Sequence, residues 1–93
     1  MSKSKLFDAK IRKKMLGIVT SPRDVRKEHG MNQATFWSQY GVTQSGGSRY
    51  ESGRNIPGPA QLLIALHAAG KFTTEELLAT QEALGDTFKR SEE

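Results

Sequence analysis

The apolar positions of the chain fall into short groups separated by glycine, proline and capping residues, and each group predicts a helix. Leu6, Phe7, Ile11, Met15 and Ile18 recur at spacings of three and four in a lysine-rich segment. They predict a weak helix with a frayed start, packed on the domain or on a second subunit, or else a flexible basic arm. Thr20-Ser21-Pro22 opens the next helix, with Ser21 as N-cap and Pro22 at a first position that needs no amide proton. That helix ends near His29-Gly30 and offers Val25 as its main core residue. Asn32 caps a helix from Gln33 to about Tyr40, and Gly41 turns the chain. Thr43 then caps a helix from Gln44 to Ser52, which Gly53 stops. After a turn through Arg54–Pro59, the helix of about Pro59–Ala69 is apolar on more than one side and needs two neighbours. Leu63 and Ile64 are its apolar excess. Thr73 and Glu76 have the spacing of a capping box, and Leu77, Leu78, Leu84 and Phe88 mark the buried stripe of a last helix.

The two short helices around Gly41 organise the rest. Phe36, Tyr40, Val42 and Tyr50 are spaced to meet between them, which leaves Gln44, Ser45, Ser48 and Arg49 on the opposite side of the second helix. A capped helix presenting amide, hydroxyl and guanidinium groups suits base edges in a DNA major groove, and the pair reads as a helix-turn-helix. Glutamine pairs with adenine and arginine with guanine, so base readout is assigned to Gln44, Ser45, Ser48 and Arg49. Phosphate positioning is assigned to Asn32, Gln33, Arg54 and Asn55, with Gln33 at a helix start where backbone N–H groups favour an anion.

From about Arg23 to Leu78 the chain resembles the lambda-repressor/Cro-like (XRE-type) helix-turn-helix domains. The resemblance is carried by Arg26, Met31-Asn32-Gln33, Gly41-Val42-Thr43-Gln44, Tyr50-Glu51-Ser52-Gly53-Arg54 and Pro57. It implies an all-α, five-helix lambda-repressor-like helix-turn-helix bundle over residues 20–93, with residues 1–19 as a basic N-terminal extension. It also implies that Glu51 pairs with Arg26, that Gln33 and Gln44 contact phosphate and base respectively, and that Ser45, Ser48 and Arg49 stand where identity varies with the operator. Two positions depart from the pattern: Trp37 stands where alanine is usual, and Gly47 where a branched aliphatic is usual. Either the indole of Trp37 lies over Gly47 in an exchange of volume, or Trp37 points outward to a partner and Gly47 leaves its helix loose. Gly46 and Gly47 together cost about 2 kcal/mol of helix propensity relative to alanine.

Ninety-three residues make one domain with one modest core. There is no cysteine, hence no thiolate nucleophile, disulfide or cysteine-based zinc site, and no run of eighteen apolar residues to span a membrane. No phosphate-cradling glycine motif, H-E-x-x-H or Ser/His/Asp arrangement is present, and His29 and His67 are isolated. Enzyme, cofactor and metal readings therefore have no support. The charge is segregated. Residues 1–16 carry six Lys/Arg, among them Lys3, Lys5, Arg12, Lys13 and Lys14, against Asp8 alone, whereas residues 73–93 carry two against six acids. A basic front and an acidic tail fit a polyanion binder with a separate non-DNA face. The expected function is a sequence-specific double-stranded DNA-binding regulator, a repressor and homodimer, because one short helix reads too few base pairs alone. It would be cytoplasmic, and of bacterial or phage origin by resemblance. The alternative is an antitoxin-type module that also masks a toxin-like protein partner, using Leu63, Ile64 and the acidic last helix.

Overall fold

A computed structural model describes residues 6–90, all but the side chain of Arg90. Among these residues the fold is all-helical: α1 (Ala9–Thr20), α2 (Pro22–Glu28), α3 (Gln33–Ser38), α4 (Gln44–Glu51), α5 (Gly58–Ala68), α6 (Thr74–Leu84) and α7 (Asp86–Arg90). The architecture is a small helix-turn-helix bundle. Two helices exceed the expected five. The segment before Ser21 forms α1, started by the Asp8 carboxylate accepting from Ile11 N at 2.9 Å, and it packs along α5 and α2. The expected last helix breaks at Gly85, whose φ of +57° lies where other residues are strained. Lys3 and Lys5 lie outside the described residues.

The core gathers Ile18, Phe36, Trp37, Tyr40, Ile56 and Ile64. Ile64 is fully buried and Leu63 packs against the same cluster, so neither is left over for a partner as the sequence had allowed. The second neighbour that α5 requires is α1. Ser21 makes no side-chain cap; it closes α1 through its backbone N–H to Gly17 O, and Pro22 alone pre-sets the start of α2. The capping box of Thr73 and Glu76 is complete.

The expected stripe on the last helix is incomplete: Leu77 is half-buried and packs on the core, while Leu78 and Leu84 are 47% and 51% exposed. Polar contacts help to hold α6 in place. Gln81 Nε2 donates to Ser38 O and Gln39 O at 2.8 and 3.0 Å, satisfying carbonyls at the C-terminal end of α3. The break at Gly85 then lets Phe88 reach back to the turn, where a Cβ on Gly41 would stand 2.8 Å from its ring.

His67, isolated in sequence, has partners 27 and 7 residues away. Thr74 Oγ1 donates to Gln39 Oε1 at 2.5 Å, so its contact with His67 Nε2 at 3.2 Å is a bond it accepts. Neutral His67 therefore presents a bare Nδ1, which accepts from the Tyr40 hydroxyl at 2.7 Å. Burial pushes the Tyr40 phenol up to about 12 and moves His67 down, keeping both uncharged.

The two departures from the family pattern meet. Trp37 is fully buried, and a Cβ on Gly47 would fall 2.3 Å from its Cδ1 and 2.4 Å from its Cγ. The indole occupies the space of the missing side chain. Gly46 is less tight: its Cβ position lies 3.1 Å from Val42 Cγ1, which a small shift of that side chain would relieve. Close approach of α3 and α4 at Gly47 thus offsets the poor helix propensity of that glycine.

Gly47→Ala should lower stability in urea unfolding by about 1–3 kcal/mol through overpacking, although alanine is the better helix former. Adding Trp37→Leu to that variant should cost less than Trp37→Leu costs alone, because the two sites share one volume.

Candidate nucleic-acid interface

Thr43 begins α4 with its hydroxyl accepting from Gly46 N at 3.0 Å, and Gly41, at φ +73°, makes the turn before it. Gly46 and Gly47 face inward. The helical period therefore turns Gln44, Ser45, Ser48 and Arg49 outward, and all four are exposed. With Gln33 of α3 they line one shallow hollow. Ser48 and Arg49 also border a second hollow, shared with Ser52, Gly53 and Arg54. Six of the eight residues assigned to DNA contact from sequence thus lie on one continuous face. Asn32 stands at its edge, capping α3 through Oδ1, which accepts from Thr35 N at 2.8 Å and leaves its amide N–H groups outward. Asn55 is exposed in the loop beyond Arg54 and lines neither hollow.

Behind the face lies one carboxylate. Between Gly30 and Phe72 the only acid is Glu51, whose side chain is 4% exposed. Arg26 Nε and Nη2 donate to Glu51 Oε2 and Oε1, each at 2.9 Å, and Arg26 Nη1 donates to Met31 O at 3.0 Å. This bidentate fork ties α2 to the last turn of α4. Two further donors were not anticipated from sequence: Trp37 Nε1 to Oε2 at 2.7 Å and Gln33 Nε2 to Oε1 at 3.1 Å. The signal was present, since Gln33 and Trp37 are four apart and share a face of α3. Burial alone would raise the Glu51 carboxyl; the hydrogen bonds from Arg26, Trp37 and Gln33 outweigh it and hold the group at about 2. The negative charge of this segment is thereby sunk and neutralised, while Arg49 and Arg54 remain outside.

Residues 23–67 match the family model of the RsaL-like HTH domain. That segment is similar to a helix-turn-helix domain. The matched segment runs from α2 into α5 and includes the pair α3–α4; it supports the helix-turn-helix class without singling out the lambda-repressor/Cro-like type. No curated protein and no solved structure matches the chain. No helix among the described residues is long and apolar enough to cross a membrane, and no three His, Asp or Glu side chains among them gather as a metal site.

The depressed Glu51 carboxyl fixes a pH dependence for this helix-turn-helix. Its folded value lies below the ordinary 4.5, so its stabilisation is complete above that pH and drains away as pH falls toward 2. The difference corresponds to about 3 kcal/mol. Unfolding curves between pH 6 and 2 should display this loss, and Glu51→Gln should flatten it while lowering stability at pH 7.

Proposed function

We propose that this protein is a sequence-specific double-stranded DNA-binding transcriptional regulator, a repressor, that inserts α4 in the major groove. The observation that carries the reading is the exposed face of Gln44, Ser45, Ser48 and Arg49, flanked by Gln33 and Arg54, with the acid that ends α4 buried against Arg26. Four short or forked polar side chains on a helix of eight residues match the depth of the groove and the donor–acceptor pattern of base edges. Gln44 and Arg49 are the strongest readers, as bidentate partners of adenine and guanine respectively. Ser45 and Ser48 let the helix approach closely.

Arg54 and Asn55 follow α4 where the chain would pass a phosphate backbone, and Asn32 and Gln33 stand at the start of α3 on the other side. These four position the domain without reading sequence. Gln33 keeps a second amide proton and its carbonyl oxygen after its bond to Glu51, so it can hold both the carboxylate and a phosphate. Because a single α4 spans only a few base pairs, useful specificity calls for a homodimer on half-sites about one helical turn apart. Such a role is cytoplasmic and needs no cofactor or catalytic group. A toxin-masking role has less to stand on, since Leu63 and Ile64 belong to the core.

Selection of bound duplexes from a random pool at physiological salt tests this. Enrichment of a two-fold-symmetric motif is expected. Arg49→Ala should relax one position in each half-site by about 1–3 kcal/mol, while Arg54→Ala should weaken all sequences alike. Gln44→Ala and Arg49→Ala should melt with the wild type because both side chains are exposed. Selection that enriches nothing would overturn sequence-specific reading.

A further inference from the structure

A cavity of about 320 Å³ opens where α1 and α6 meet α2, α3 and α5, away from the face assigned to DNA. Its floor is apolar, made by Ile18, Val25, Met31 and Phe36. On its far wall the polar atoms of Tyr40, His67, Thr74 and Gln39 satisfy one another, so the wall is fixed and uncharged. The mouth is different. Lys14 of α1 and Glu28 of α2 both line the cavity and both are exposed, yet neither forms an ion pair with the other or with any described residue. Two opposite charges border one apolar pit.

The volume lies at the small end of the range for small-molecule sites, about 300–1,000 Å³. An apolar anion would satisfy Lys14 and be repelled by Glu28; an apolar amine would meet the reverse. A molecule carrying both charges on one end and an apolar group on the other complements every wall. We propose that this cavity binds a free apolar α-amino acid, its side chain on the Phe36–Met31 floor, its carboxylate toward Lys14 and its ammonium toward Glu28. His29 adds an acceptor at the rim, for its Nδ1 is engaged with Val25 O at 2.9 Å and its Nε2 is left over. The bound molecule touches Phe36, whose ring meets Trp37 edge-on at 5.2 Å, and Trp37 in turn supports Gly47 and Glu51. Occupancy therefore bears on the helix beneath the reading face.

The test uses the full chain without DNA, so its outcome is independent of the DNA reading. L-Phenylalanine, L-leucine, L-isoleucine and L-methionine are titrated in thermal melts and by calorimetry, beside 3-phenylpropanoate and 2-phenylethylamine, which each lack one charge. At least one amino acid is expected to raise the melting temperature by about 5 °C or more at tenfold excess over its Kd, with both single-charge analogues weaker. Lys14→Met and Glu28→Gln, surface changes that leave the core intact, should each lower affinity about tenfold. Ala68→Met, which fills the cavity from α5, should abolish binding. If none of the four amino acids shifts the melt, the proposal fails. It fails equally if the analogues bind as well or if the rim variants bind like wild type.

Discussion

The pairing of α3 with α4 rests on one buried carboxylate. Glu51 closes α4, and three side chains from two helices reach it: the guanidinium of Arg26 from α2, and the amide of Gln33 and the indole of Trp37 from α3. A charge buried this deeply is tolerated only because each oxygen accepts two donors. The same bonds that neutralise it fix the angle between α3 and α4. An α4 with two glycines has little helical stability of its own, so the carboxylate at its end and the indole against its middle hold it in shape.

The two devices are complementary. Gly47 brings α4 close enough for Trp37 to reach Glu51, and the Trp37 N–H finds a partner that a buried indole needs. Restoring a side chain at position 47 would push the helices apart and strand a donor as well as crowd a ring. Packing and electrostatics are here one constraint. A consequence is that the outer face of α4 can vary freely, since none of Gln44, Ser45, Ser48 and Arg49 is needed to hold the helix in place.

Much of this was legible in the sequence, and the part that was not has a common cause. Caps at Asn32, Thr43 and Thr73, the turn at Gly41 and the complementary sizes of Trp37 and Gly47 are local or pairwise signals, and the structure contains each of them. What sequence left open or placed wrongly depends on contacts between distant elements. The docking of α1 on α5 turns a sparse apolar pattern into a full helix, and it removes Ile64 from the surface. The partners of His67 lie on α3 and α6, beyond any spacing rule. The side-chain cap expected of Ser21 is not made because that residue also terminates α1. The outward face of α4 was readable from period alone.

The placement of the indole has a practical side. Trp37 is the only tryptophan in the chain, fully buried, hydrogen-bonded to a carboxylate and pressed against the backbone of α4. Its fluorescence is therefore an intrinsic gauge of the seam between the two helices. A shift of emission to the red that precedes any loss of helical circular dichroism would report that α4 has lifted from α3 while the rest of the bundle is still closed, with no label placed on the exposed face of α4.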